Sequence, residues 1–468
     1  MRMAMGTRER RQRQESLWIA ASELPVTAAH PFYQRLNQLL DEQGFDRFVE
    51  ALCAGFYADR MGRPSLTPGI YFRLLLVGYF EGIDSERGIA WRAADSLGLR
   101  RFLSIDMDES TPDHSTISRT RRLICLETHQ EVFRWALRVL AERGLVKGTT
   151  VAVDATTLEA NAAMRSIVRR DTGEEYQEFL RRLAKESGIE TPTKEQLARL
   201  DRKRKKRTSN QEWVNPHDPD AKVAKMKDGS THLAHKAEHA VDLETGAIVA
   251  VTLQAADQGD TTTIVETVAQ AGEQIAEVAA AVNSEEAGER VNPEGPAEVV
   301  TDKGYHSNEV VAGLQQAGVR SYLSEPERGP RKWVGKRAEQ AAVYANRRRI
   351  RGKRGKALLR RRGELVERSF AHVYGTGGMR RTHLRKHENI LKRLVIHVSA
   401  FNLSLILRRE LKVGTPRGLQ GRPGDSLLSI LGLWKLVERL WRKLGDIRRL
   451  PEVASATFPS LRCFLRAA

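Results

Sequence analysis

A chain of 468 residues with 77 Lys and Arg against 59 Asp and Glu carries a formal net charge of +18 and a pI near 10.0. Its length exceeds what one hydrophobic core sustains, so two or three domains are expected, and the charge points to a polyanion, nucleic acid ahead of a membrane surface. No apolar run approaches a membrane span, the leader MRMAMGTRERRQRQES has no core like a signal peptide's, and Cys53, Cys125 and Cys463 stand far apart, which argues against a disulfide framework or a thiolate zinc site. A soluble, cytoplasmic protein is expected.

After the polar leader, Pro31 to Asp59 places Phe32, Leu36, Leu39, Leu40, Phe45, Phe48, Val49 and Leu52 at helical spacing, predicting two short helices broken near Gly44. Pro64 and Pro68 mark the next boundary. Ile70 to Phe80 is almost wholly apolar and reads as a buried helix; Ser85 to Leu97 and Phe133 to Leu145 read as helices too. Between them, TPDHSTISRTRR (Thr111 to Arg122) is either the recognition part of a helix-turn-helix, with Arg119, Arg121 and Arg122 on DNA, or a capped surface helix. The overall charge favours DNA.

From Thr149 the pattern turns to strands. TTVAVDATT (Thr149 to Thr157) is a β-branched run finishing on Asp154. A charged stretch, Ala160 to Gly229, follows; it includes the run Arg202 to Arg207 and reads as an insertion, partly helical between Glu174 and Leu200. THLAHKAEHAVD and IVAVTLQ flank Glu244-Thr245-Gly246, a hairpin signal, and Asp260 to Thr263 is expected to cap a helix reaching about Val282. AEVVTDKGYHSNE (Ala297 to Glu309) repeats the earlier design: Val299 to Thr301 read as a buried strand that ends on Asp302, before a turn at Gly304 and a helix capped by Ser307. Val319 to Leu323 makes a fifth strand. Arg347 to Arg362 holds 10 Lys or Arg in 16 residues, Glu364 to His372 and Ile390 to Leu407 read as helices, and Gly414 to Gly424 reads as a linker. The amphipathic stretch Leu427 to Leu444 carries Trp434 and Trp441, which are expected to pack into a core or a dimer.

An acid at a strand's C-terminal end is well placed to hold a ligand, although Asp302 alone also reads as a helix-capping residue. Asp154 has the same design, and the two become neighbours if their strands pair. Cleaving a phosphodiester needs an attacking hydroxyl in line with a leaving oxygen, and two divalent ions about 4 Å apart stabilise both. Magnesium or manganese takes oxygen ligands, chiefly carboxylates. His235 and His239 share one face of their strand and Lys236 faces the other way. Zinc at the histidines lacks a third ligand, so cross-strand polar contacts, or DNA contact through Lys236, are preferred.

VAVDATT around Asp154, VVTDKGYHS around Asp302 and ELVERSFAHV around Glu367 resemble the DDE transposases of bacterial insertion sequences. THLAHKAEHAVD and IVAVTLQAADQGDTT are similar to that family's second and third strands, and the resemblance runs from about Phe32 to Leu407. It implies an RNase H-like α/β domain, a mixed five-stranded sheet flanked by helices, preceded by an all-α domain. It implies that Asp154, Asp302 and Glu367 are catalytic and bind two Mg²⁺ ions, with Mn²⁺ able to substitute, and that the enzyme cuts at the element's inverted repeats and joins the freed end to target DNA. Glu367 is preferred over Glu364 because an apolar pair precedes it and Phe370 follows. Many relatives carry Lys where this chain has Tyr374, which leaves that phosphate contact to Arg380 or Arg381. Lys303 and Tyr305, beside Asp302, and Arg360 and Arg361, in the basic run, are further expected DNA contacts. The expected division is a helical DNA-binding domain over residues 1–147, a catalytic domain over 148–410 with an insertion at about 160–230, and a linker with a C-terminal helix over 411–468. A homodimer or higher assembly is expected on DNA. The rival readings are an inactive DNA-binding repressor derived from a transposase and a nuclease of the same fold that cuts without joining.

Overall fold

The computed structural model describes residues 30–57, 65–203, 209–226, 229–282, 291–327, 329 and 331–419. The polar leader, Pro64, most of the Arg202–Arg207 run, Cys463 and the expected helix with Trp434 and Trp441 lie outside the described residues.

Seven helices' worth of apolar periodicity becomes α1 (Pro31–Glu42), α2 (Phe45–Cys53), α3 (Pro68–Glu81), α4 (Glu86–Ala94), α5 (Leu97–Phe102), α6 (His114–Leu123) and α7 (Leu126–Glu142). Gly44 breaks α1 from α2 with a left-handed φ of 59°, a conformation that costs glycine least. The expected helix from Ser85 to Leu97 is two, because Ser96 accepts the Leu99 N–H and starts α5. Asp113 caps α6 in the same way through the Thr116 N–H. Helix α3 is buried all round, as a helix with no polar face must be.

The chain then runs through β1 (Thr150–Glu159), β2 (Val168–Arg169), α8 (Tyr176–Glu186), α9 (Lys194–Lys203), β3 (Trp213–Val214), β4 (Lys222–Lys225), β5 (Thr231–Asp242), β6 (Ile248–Ala255), α10 (Asp260–Ala281), β7 (Glu298–Thr301), α11 (Asn308–Gln316), β8 (Arg320–Leu323), α12 (Arg337–Arg351), α13 (Lys353–Phe370) and α14 (His387–Leu411). Strand β5 lies antiparallel to β1 on one edge and to β6 on the other, while β7 joins β1 in parallel and β8 joins β7 in parallel. The order β6-β5-β1-β7-β8, with helices on both faces, is an RNase H-like arrangement. The sheet has a sixth strand: β4, from the insertion, pairs with the start of β5. Its short Lys-flanked sequence carries little strand signal, and the partner edge of β5 supplies the stabilisation. Within the insertion, Trp213 packs against Tyr176 and Phe179 beside Ile167 and Leu233.

Helix α14 ties the helical region to the sheet, packing on α7, α3 and β6. It is long and apolar enough to cross a membrane, but its apolar stretch is spent as a core helix. Two asparagines lock helices to strand backbone. Asn402 on α14 accepts the Ile248 N–H (3.0 Å) and donates to the Ile248 carbonyl (2.8 Å). Asn346 on α12 does the same for Leu323, at 2.9 and 2.8 Å. Both side chains are fully buried. Replacing Asn402 by Leu leaves a buried N–H and a buried C=O unpaired, and the expected loss is about 2–4 kcal/mol of unfolding free energy in denaturant titration, with the slope unchanged.

Candidate active site

Strand β1 departs from expectation at the residue that matters most. It does not end on Asp154 but continues to Glu159, because β5 goes on pairing with it as far as Ala234. What ends near Asp154 is the parallel ladder to β7, whose last pair is Ala152 with Val300. Asp154 therefore lies beside the gap left where β7 stops and Asp302 turns away. Asp302 accepts the Gly304 N–H at 2.8 Å, capping a short 3₁₀ turn, while Ser307 caps α11 through the Val310 N–H. Asp302 thus takes a local hydrogen bond and still presents a carboxylate at the strand end.

One cation spans the two acids. Arg362 on α13 places Nη2 2.5 Å from Asp154 Oδ2 and 3.9 Å from Asp302 Oδ2. Asp260, at the start of α10, also lies near Asp302, both beside Gly304. A methyl group built on Gly304 would lie 2.6 Å from Asp260 Oδ2 and 3.1 Å from Asp302 Oδ1, so any side chain there would push the Asp260 carboxylate aside. Burial pushes the Asp154 carboxyl up to about 6, against the pull of Arg362 and the Ala155 N–H, and the charges of Asp302 and Asp260 push it the same way.

Glu367 is not brought into this group. Val366 and Ser369 are buried against the sheet, and a helix turns about 100° per residue, so Glu367 is carried to the exposed flank of α13. Glu364 is likewise exposed, paired with Arg368 at 2.6 Å. The face that meets the sheet holds Arg362, Val366 and Ser369, while Gly355 abuts the backbone of α12 at Arg349 and Ile350. That periodicity was available in the sequence and would have singled out Arg362, which the basic run concealed. Past Phe370 the helix widens into a π-helical turn, Ala371–Thr376. Tyr374 is buried there and its hydroxyl meets His239 Nε2 at 2.7 Å, while His239 Nδ1 meets Ser369 Oγ at 3.0 Å. A phenol suits this closed position, since its one hydroxyl is met by the His239 imidazole. Burial takes the His239 imidazole down to about 3, so it is neutral at ordinary pH. His235 lies on the same face, with Nε2 3.3 Å from Asp218 and its ring beside His387.

Several expected DNA contacts face inward. Lys236 is buried against α10, with its ammonium 2.6 Å from Asp260 and 3.1 Å from Glu238. Tyr305 is fully buried and donates to Glu238 at 3.1 Å. Arg121 is buried in an ion pair with Glu86. In this conformation Lys236 and Tyr305 are turned into the fold, both held by the fully buried Glu238, while Arg121 and Glu86 lie in the wall of an open cleft. The basic run is also partly consumed: Arg347 pairs with Glu325, Arg354 with Glu298, Arg349 with the Ser321 carbonyl and Arg361 with the Glu244 carbonyl. Arg119, Arg122, Lys303, Arg360, Arg380 and Arg381 are exposed. An open cleft of about 650 Å³ lies between α6 and the loop before α14, lined by Arg122, His217, His383, Arg385 and Lys386.

A magnesium-like ion needs oxygen ligands. Asp154 and Asp302 supply carboxylates, the donor chemistry such an ion takes, and the Arg362 guanidinium lies against both. Among the described residues no three Asp, Glu, His or Cys side chains stand close enough together to hold one. An ion entering between the two acids has to displace Arg362. The raised Asp154 value carries a stability consequence. Its contribution is intact below the ordinary carboxyl value of 3.8 and is lost as pH rises through about 6. Asp154→Asn is expected to unfold at higher denaturant than wild type at pH 8, by roughly 2–3 kcal/mol, with the gap closing near pH 4.

Residues 23–123 match a transposase-domain family and residues 147–403 match the transposase DDE domain. No curated protein matches the chain. The DDE match covers more than half of the sequence, contains β1, β7, α13 and most of α14, and brings with it a polynucleotidyl-transferase type of chemistry on DNA. The chain belongs to the DDE transposase family.

Proposed function

We propose that the protein is an active transposase that cuts DNA at the inverted repeats of an insertion sequence and joins the freed end to target DNA, working in the cytoplasm at the nucleoid as a dimer or larger assembly. The observation that carries this reading is the convergence of Asp154 and Asp302 where the parallel β1–β7 ladder ends, with Arg362 between them. Two bound Mg²⁺ ions, or Mn²⁺ in their place, would supply Lewis-acid stabilisation of the attacking and leaving oxygens. The chain's own residues do the rest. Asp154 and Asp302 provide fixed oxygen ligands on rigid elements. Arg362, displaced from the acids, is within reach of a phosphate at the same point and keeps a positive charge there through the reaction. Glu367 completes the carboxylate set when α13 presents that flank to the site on DNA. Arg119, Arg122, Lys303, Arg360, Arg380 and Arg381 position the duplex through its phosphates. The domain division at residues 147–148 and 410–411 belongs to the same reading, with α1–α7 as the DNA-binding region.

A second reading, an inactive DNA-binding repressor of transposase descent, draws support from the exposed position of Glu367. Purified protein incubated with labelled element-end DNA and Mn²⁺ separates the two. Wild type is expected to nick and join, while Asp154→Asn and Asp302→Asn each lose at least about a hundredfold in cleavage and keep DNA binding. Cleavage without joined product would identify a nuclease; equal binding with no cleavage by any of the three proteins would establish the repressor. Removing Arg360 and Arg381 together is expected to lower the slope of log affinity against log salt by about 2 if each meets one phosphate.

A further inference from the structure

The segment from Arg380 to Lys386, between the π-helical turn and α14, carries four cations in seven residues and is held along its length. Glu159, the last residue of β1, donates its N–H to the Arg380 carbonyl at 3.1 Å and accepts the Thr382 N–H at 2.9 Å. Asn161 donates to the His383 carbonyl at 2.9 Å. From the insertion, Asp218 and Asp220 accept the N–H groups of Lys386 and His387 at 3.2 and 3.0 Å. The fold thus fixes the backbone of this segment, while Arg381, Arg385 and Lys386 stay exposed.

These cations line an opening. The cleft of about 650 Å³ adjoins a second of about 230 Å³, and Asn161, His217 and Arg385 line both, so the two make one groove. It runs from Arg122 on α6 past Arg385 and Lys386 to Arg381 at the end of β1. Among the described residues that line it the one acid, Glu86, is taken by Arg121. Arg122, Arg385 and Lys386 form no ion pair with any described acid. Unpaired cations on two walls, with a rigid backbone beneath one of them, suit a chain of phosphates, because little ordering cost is left for binding to meet. The backbone at Lys386 is also strained. Its φ is 69°, where a side chain is disfavoured and glycine is not. The fold keeps a lysine at a groove position where glycine would suit the backbone better.

We propose that this groove binds the sugar–phosphate backbone of DNA at a distance from the reacting phosphate. Glu159 lies five residues beyond Asp154 on β1, about 16 Å at the usual strand rise, or about five base-pair steps of a duplex. The inference rests on the proposed action on DNA and adds an anchoring surface to it. Fluorescence-anisotropy titration of the full chain with a labelled element-end duplex, without metal and at several salt concentrations, tests it. Arg385→Ala combined with Lys386→Gly is expected to weaken binding at least about tenfold near physiological salt and to lower the slope of log affinity against log salt by about 1.8. Arg122→Ala, on the facing wall, is expected to lower it by about 0.9. A duplex of unrelated sequence is expected to give the same changes, since phosphate contacts carry no sequence information. Arg181→Ala combined with Lys185→Ala, exposed on α8 outside the groove, is the control and is expected to leave the slope unchanged. Lys386→Gly alone separates binding from folding: its denaturant midpoint is expected to stay level or rise, while the slope falls by about 0.9. Wild-type slopes in both groove variants, or an equal fall in the control, overturn the groove and leave the proposed function standing. A fall confined to the element-end duplex overturns the assignment to phosphate. Lowered slopes in a protein that never cleaves support the groove and remove the enzyme reading, and a wild type that binds neither duplex overturns both. If the double variant fails to fold, Arg122→Ala decides.

Discussion

The parallel pairing of β1 with β7 is the constraint on which the site depends. Three backbone pairs, Thr150 with Glu298, Val151 with Val299 and Ala152 with Val300, join segments far apart in the chain and bring Asp154 beside Asp302. Everything around that junction is arranged to keep it dry and aligned. Val151, Val153, Val299 and Val300 are fully buried. Thr150 donates to Glu298, which also receives Tyr322 and Arg354, so the far end of the junction is pinned by its own polar cluster. A parallel pair of this kind is buried on both faces, which is why its strands read as unbroken β-branched runs.

The two faces of the sheet are finished differently. Toward α13 the polar groups are neutral: His239, Ser369 and Tyr374 satisfy one another without net charge. Toward α10 they are charged: Glu238, Lys236 and Asp260 with two threonines and a tyrosine. Burying charge costs more than burying neutral hydrogen-bonding groups. The charged cluster opens toward the acids at the strand ends, where part of that cost is offset by hydration, and the closed neutral one does not. The hydroxyl of Tyr305 is held protonated by burial and by the charges of Glu238, Asp260 and Asp154, so it serves the network as a donor.

How legible was this in the sequence? The order and type of the main elements were, because each carried its own mark: a turn signal at Glu244-Thr245-Gly246 between β5 and β6, a short buried run at Val299 to Thr301 in β7, helical spacing in α1 and α2, and an almost wholly apolar stretch in α3. The acids at Asp154 and Asp302 stood out because each closes a β-branched run. What stayed hidden depended on pairing or rotation. Strand β1 passes beyond Asp154 only because β5 is long enough to hold it. Arg362 was one cation among ten until the buried face of α13 picked it out. Lys236, Tyr305 and Arg121 looked like surface cations and an aromatic available to DNA, since burial of a charge follows from the presence of a partner elsewhere in the chain, and Glu238, Asp260 and Glu86 carried no mark of that role. Asp260 looked like an ordinary helix cap.

Helix α14, among the last described elements of the chain, closes the interior of the first. Helix α3 packs on α2 and α4 and keeps an apolar face that only α14 covers, and Arg393 of α14 donates to the Ile83 carbonyl just beyond α3. A ribosome therefore has to synthesise nearly the whole of the described chain before the helices made first can finish burying their surface. During that interval the nascent chain holds a long unsatisfied apolar segment, the condition under which chaperone binding and aggregation compete with folding. A polypeptide that stops before residue 387 lacks the helix that completes the burial of α3 and α7.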